Sequence, residues 1–212
     1  MQLVGLLGGT FNPIHFGHLR MAQELADRLK LTEVRFIPCA NPPHKSMPTA
    51  SAKHRAAMVQ LAIAYNSLFK LDTRELDRTG VSYTIDTLAS LHAELGENVA
   101  LCLIMGSDAF VHLDTWARWQ ELLNYCHIIL VQRPSASKQA KLPDELAMLL
   151  QDHYTEDLAD LANNAAGYIH MQAITPLEIS STKIREAFKH DASNRYLMPD
   201  PVINYIDTHR LY

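Results

Sequence analysis

What most constrains this chain is an alternation. Short aliphatic runs, each only long enough for a strand, are separated by segments whose apolar residues recur at intervals of three and four. Residues 2–7 (Gln-Leu-Val-Gly-Leu-Leu) stop at Gly8-Gly9 and carry almost no polar positions, which predicts a strand buried on both faces. Residues 17–30 place Leu19, Ala22, Leu25, Ala26 and Leu29 on one side of a helix. Val34-Arg35-Phe36-Ile37, halted by Pro38, completes a β-α-β unit.

The alternation continues with a helix over about 51–66 (Met58, Leu61, Ile63) and a short strand at Phe69–Leu71. A helix from Tyr83 to Leu95 follows, with Ser82 as its predicted N-cap and Gly96 as its stop. Strands are expected at Val99–Met105 and His127–Gln132, on either side of a helical stretch holding Trp116 and Trp119. A strand at Tyr168–Met171, a helix at Ser181–Lys189 and a last helix from Pro199 end the series, Pro199 and Pro201 suiting a first helical turn. Strands alternating with helices predict the α/β class: a doubly wound parallel sheet with helices on both faces. At 212 residues, one domain over 1–212 is expected, with 134–165 as an irregular insertion and 181–212 as C-terminal helices.

Composition excludes other classes. With 48% apolar and 20% charged residues, 8 Gly and 10 Pro, the chain is neither disordered, collagenous nor disulfide-stapled. Nineteen Lys and Arg against 23 Asp and Glu give a net charge of −4, which argues against a nucleic-acid coat. Cys39, Cys102 and Cys126 are odd in number and far apart, so they are read as buried thiols in a reducing cytosol. The first basic residue is Arg20 and no apolar run reaches the length of a membrane span, so a cytoplasmic protein with no membrane partner is expected.

The chemistry is concentrated in Gly8-Gly9-Thr10-Phe11-Asn12-Pro13-Ile14-His15-Phe16-Gly17-His18, where the first strand hands over to the first helix. Ligands of open parallel sheets bind at the carboxyl ends of strands, and helix N-termini attract anions. The stretch is neither a dinucleotide fingerprint nor a P-loop. His15 and His18, three apart at a helix start, project from one side, with Gly17 between them leaving room for a nucleotide. A metal reading of this pair lacks the accompanying Cys or carboxylate ligands.

These residues carry a family resemblance. Gly8–Pro13 with His15-Phe16-Gly17-His18 resembles the signature of the nucleotidyltransferases that share a His-x-Gly-His element with class I aminoacyl-tRNA synthetases. The second half of that signature is Ile179-Ser180-Ser181-Thr182-Lys183-Ile184-Arg185. Adding Pro42-Pro43-His44-Lys45, Ser82-Tyr83-Thr84, Gly106-Ser107-Asp108, Trp116 and Arg133-Pro134, the whole chain resembles the bacterial nicotinate-nucleotide adenylyltransferases. Asn12 stands where many members carry Asp, and both side chains hydrogen-bond within a turn.

The resemblance implies a Rossmann-like fold and transfer of the adenylyl group of ATP to nicotinate mononucleotide, with Mg²⁺ carried by ATP and no protein ligand assigned to it. His15, His18, Lys45 and Arg185 would be the catalytic set. Gly8, Gly9, Thr10, Phe11, Gly106, Asp108, Arg133, Ser181 and Thr182 would join His18 and Arg185 in binding ATP, Asp108 at the ribose. His44, Lys45, Tyr83, Thr84 and Trp116 would bind nicotinate mononucleotide, the indole stacking on the pyridine ring. Rival readings are an adenylyltransferase for nicotinamide mononucleotide or phosphopantetheine, and a nucleotide-binding sensor without turnover. The middle motifs argue against phosphopantetheine; intact His15, His18 and Arg185 argue against a sensor. Oligomeric state and the choice of nicotinate over nicotinamide are left open by the sequence.

Overall fold

The computed structural model describes residues 1–40, 48–78, 80–132 and 142–212. Its aliphatic runs become a six-stranded sheet in the order β3-β2-β1-β4-β5-β6. The strands are β1 (Gln2–Gly9), β2 (Glu33–Pro38), β3 (Phe69–Leu71), β4 (Val99–Gly106), β5 (His127–Gln132) and β6 (Ile169–Ala173). β1 pairs in parallel with β4, Leu3 opposite Ala100 and Leu7 opposite Ile104. β4 with β5 and β5 with β6 are also parallel. Residues 100–105 are buried without a break, as a strand covered on both faces requires. Numbered from the chain start, the order reverses at β1, which defines the doubly wound parallel fold expected from the alternation.

The residues group into two compact units. One comprises Met1–Leu7, Glu24–Val34 and Tyr83–Pro176. It holds β4, β5 and β6, the helices α3 (Thr84–Leu95), α4 (Ser107–Phe110), α5 (Asp144–His153) and α6 (Leu158–Asn163), and two 3-10 turns, Leu113–Thr115 and Trp119–Asn124. Its core includes Leu88, Leu91, Leu101, Ile128 and Ile129. The other comprises Gly8–Gln23, Arg35–Ser82 and Leu177–Tyr212. It holds β3, α2 (Ala52–Ile63), α7 (Ser181–Lys189) and α8 (Asp200–His209), around Phe36, Met58, Val59, Ile184 and Val202. β1, β2 and α1 (Phe16–Leu29) contribute residues to both.

Three local expectations change. Ser82 does not cap α3: it is buried and its hydroxyl donates to the Glu75 carbonyl at 3.3 Å, so Tyr83 takes the cap position without a side-chain bond. The stretch around Trp116 and Trp119 is two 3-10 turns, because Arg118 between them adopts a left-handed φ of 52° that no continuous helix tolerates. Cys102 and Cys126 are buried as expected, and burial pushes the Cys102 thiol up to about 12, whereas Cys39 is half-buried. Among the described residues no helix is long and apolar enough to cross a membrane.

Candidate active site

The loop after β1 is shaped by Phe11. Its φ of 47° lies in the left-handed region, which costs a side-chain-bearing residue about 1–2 kcal/mol. Packing offsets that cost: the ring is buried, lies 5.9 Å from Phe36 and meets His18 edge-on at 5.2 Å. The same ring lies across Gly9, where a Cβ would stand 2.9 Å from its Cζ. A side chain at position 9 would therefore displace Phe11 and, with it, the contact to His18. At Gly8 a Cβ would meet nothing within 4 Å, so the open face of the glycine pair is at Gly8.

The histidine pair opens α1. The Phe16 amide donates to the Leu197 carbonyl at 2.9 Å, and the His18 and Leu19 amides both donate to the His15 carbonyl. The imidazoles stack at 3.8 Å, and the His15 amide donates to His18 Nδ1 at 3.3 Å. With Nδ1 an acceptor, neutral His18 carries its proton on Nε2, as a donor. His15 is buried and His18 half-buried. The space over Gly17, expected to leave room for a nucleotide, is filled by the His15 ring, 3.0 Å from where a Cβ would lie.

Residues 179–185 arrive beside this loop at the start of α7. Ser180 is the cap, its Oγ accepting from the Lys183 amide at 3.4 Å, so Ser181 and Thr182 are left for other partners. The Ser181 hydroxyl donates to the Pro13 carbonyl at 2.9 Å. Arg185 donates through Nη1 to the Asn12 carbonyl at 2.8 Å and through Nη2 to Thr182 Oγ1 at 3.4 Å. The two halves of the signature thus meet in one unit: Gly9, Thr10, Phe11, His15, His18, Ser181, Thr182 and Arg185 share one neighbourhood.

Three residues to which the sequence assigns no site role hold it together. Arg55, on α2 and only 1% exposed, donates to the carbonyls of Thr10 (2.9 Å), Ala40 (3.1 Å) and Ala50 (3.3 Å). Burial draws its pKa below the usual arginine value, and the nearby Cys39 and Tyr212 work the other way. Asn12 gives its Nδ2 to Thr49 at 3.1 Å, while its Oδ1 accepts from the Ala50 amide at 3.4 Å and from Tyr212 at 2.7 Å. A signal for Arg55 was present, since it stands three and four residues before Met58 and Val59 on their apolar face. Asn12 reads only as a turn residue of the motif, and for Tyr212 there was no signal.

The remaining predicted residues belong to the other unit or lie outside the described residues. Gly106 caps α4 and Asp108 is exposed in its first turn, directly after β4. Tyr83 and Thr84 open α3, and half-buried Trp116 follows the first 3-10 turn in extended conformation. His44, Lys45 and Arg133 lie outside the described residues.

Comparison with known proteins agrees with this geometry. Residues 6–187 match the model of the cytidylyltransferase-like family. A probable nicotinate-nucleotide adenylyltransferase of Pseudomonas syringae pv. tomato is 46% identical over 209 residues, 99% of this chain and 93% of that protein. One of Pseudomonas entomophila is 46% identical over 212 residues, 100% of this chain and 95% of its own length. Among solved structures, the Plasmodium falciparum nicotinic acid mononucleotide adenylyltransferase complexed with NaAD has the same fold, with a TM-score of 0.72 at 19% identity, covering 100% of this chain and 98% of that one. A full-length match at this identity, with both halves of the signature assembled around one loop, settles the family: the chain belongs to the cytidylyltransferase-like family and, within it, to the nicotinate-nucleotide adenylyltransferases.

Proposed function

We propose that the protein transfers the adenylyl group of ATP to nicotinate mononucleotide, giving nicotinate adenine dinucleotide and pyrophosphate for NAD biosynthesis in the cytoplasm. The observation that carries this reading is the junction of the histidine loop with α7, made by Ser181 to Pro13 and Arg185 to Asn12. It sets a neutral imidazole donor beside the hydroxyls and guanidinium of a helix start, a donor set suited to polyphosphate.

The 5′-phosphate of the mononucleotide attacks the α-phosphorus of ATP in line, a new P–O bond forming as the bond to the bridging α–β oxygen breaks. A phosphate monoester has its second pKa near about 6, so the nucleophile is an anion at neutral pH and needs no general base. No covalent enzyme intermediate is required. The barrier is lowered by aligning two anions and by donors aimed at charge as it develops. His18 Nε2–H serves the α-phosphate and buried His15 fixes the His18 ring by stacking. Ser181, Thr182 and Arg185 receive the β- and γ-phosphates and the departing pyrophosphate.

Gly8, Gly9, Thr10 and Phe11 line the nucleotide with backbone, and His44 and Lys45 bind the mononucleotide, Lys45 also serving the reaction. Asp108 and Gly106 bind the ATP ribose and Arg133 contributes to ATP binding; Tyr83, Thr84 and Trp116 bind the nicotinate ring. Imidazole, hydroxyl and guanidinium donors suit phosphate oxygens and not a hard cation, so Mg²⁺ is held by ATP oxygens and water.

Pyrophosphate release from MgATP tests the reading. Nicotinate mononucleotide should exceed nicotinamide mononucleotide by at least about a hundredfold in kcat/KM, since donors placed for a carboxylate are mismatched by an amide. Preference for the amide, or for phosphopantetheine, overturns the substrate assignment. No release with any of the three overturns the enzyme assignment in favour of a sensor.

A further inference from the structure

We propose that Tyr212 is a positioning residue for the transfer reaction: its hydroxyl fixes the Asn12 side chain and, through the carbonyl of the same residue, sets the direction of the Arg185 guanidinium. The proposal rests on the reading of the histidine loop and α7 as an adenylyl-transfer centre.

The geometry is a short relay. Tyr212 lies three residues past α8, where Arg210 at a left-handed φ of 49° turns the chain and the Leu211 amide closes on the Ile206 carbonyl at 3.3 Å. Its ring comes to rest 6.0 Å from that of Phe188, which is on α7, the helix that carries Arg185. From there the hydroxyl donates to Asn12 Oδ1 at 2.7 Å, shorter than the 3.4 Å from the Ala50 amide to the same oxygen. Asn12 is 7% exposed and its carbonyl receives Arg185 Nη1 at 2.8 Å. One residue thus takes the Tyr212 hydroxyl on its side chain and the Arg185 guanidinium on its backbone.

The relay has the right chemistry at working pH. Burial pushes the Tyr212 phenol above the usual tyrosine value, and the neighbouring Arg185 and Arg55 charges pull against that without reversing it. The hydroxyl therefore stays protonated and donates. A guanidinium that receives a departing pyrophosphate acts through direction as much as charge, and a displacement of about 1 Å in such a group costs up to about a hundredfold in rate. Loss of one hydroxyl that steers it should then appear in the kinetics out of proportion to its effect on folding.

Tyr212→Phe keeps the ring beside Phe188 and removes only the hydroxyl. Its kcat/KM for ATP should fall about tenfold, with both kcat and KM affected, while the thermal midpoint drops by less than about 4 °C. In an Arg185→Ala background the same substitution should cost less than about twofold, because the residue it acts through is gone. In the ligand-free protein the ¹⁵N resonance of Arg185 Nε–Hε should shift on Tyr212→Phe. An unchanged kcat/KM in Tyr212→Phe overturns the proposal, and so does a full second loss in the Arg185→Ala background. A wild-type protein that releases no pyrophosphate sinks the adenylyl-transfer reading. The Arg185 resonance then decides alone: a shift supports the relay, and an unmoved resonance refutes it.

Discussion

His18 is placed by three neighbours: the His15 amide at Nδ1, the His15 ring on its face and the Phe11 ring at its edge. Each constrains its orientation. Replacing the residue should then remove a donor without opening the core, because the side chain is only half-buried. His18→Ala is expected to lower kcat by at least about a hundredfold, the scale of losing one donor to a developing charge. The thermal midpoint should move by no more than about 4 °C. Specific activity measured on the folded fraction checks this; full activity there would make His18 a structural residue. Other histidines serve the fold. His153 Nδ1 bonds the Gly167 carbonyl at 2.7 Å, His170 Nδ1 the Thr155 carbonyl at 3.0 Å, and His54 the Tyr205 hydroxyl at 3.0 Å. Residue type alone could not separate these from the pair at 15 and 18. Spacing and the flanking glycines could.

At the scale of elements, α2 does two things at once. Met58, Val59 and Ile63 bury one face in the core, while Arg55 on the same face ties Thr10, Ala40 and Ala50 together. Breaking such a buried set leaves several carbonyls unpaired. Arg55→Met should destabilise the protein by about 3–5 kcal/mol, since three buried carbonyls lose their donors, and Arg55→Lys by less, since an ammonium still donates to some of them. Denaturant midpoints check both; a loss below about 1 kcal/mol for Arg55→Met would mean that the carbonyls find other partners. The elements themselves were legible. β3, β5 and α7 fall where periodicity and punctuation put them, because Pro, Gly and the change of period act locally. The helix around Trp116 failed because the left-handed Arg118 is held there by tertiary context, and α6 passed unseen within an irregular stretch. For the site, the histidine loop and the 179–185 segment were legible as motifs. The Arg55, Asn12 and Tyr212 contacts were not, since each joins residues that nothing in local sequence pairs.

For the whole molecule, the net charge of −4 says little about where anions could bind, since the Arg185 guanidinium and the His15 and His18 imidazoles are gathered at one loop and one helix start. Charge matters more for stability against pH. His127 is fully buried, accepting at Nδ1 from the Tyr168 amide (3.2 Å) and donating from Nε2 to the Asn164 carbonyl (2.9 Å), which is the neutral form. Burial lowers its pKa below the usual imidazole value, partly countered by its backbone bonds and Asp160. The unfolded chain then binds the proton more readily, so stability is complete above about pH 6.5 and declines as pH falls below it. Asp72 adds a second loss at lower pH. Burial raises its pKa, but bonds to Arg74 (2.8 Å) and Arg35 (3.1 Å) overcome this and hold it below the usual carboxylate range. That contribution is present above about pH 4 and fades beneath it. Thermal midpoints between pH 7.5 and pH 5.5, at about half-unit steps, should fall less steeply in His127→Gln than in wild type; equal slopes would mean that other groups control the transition.

The contacts of the histidine loop also carry a temporal consequence. Its partners at Ser181, Arg185 and Tyr212 stand 168, 173 and 200 positions away. A ribosome therefore releases the loop early and these partners late, so the junction of the loop with α7 is among the last features a growing chain acquires, and an incomplete product has the histidine loop without the groups that tie down Asn12 and Pro13.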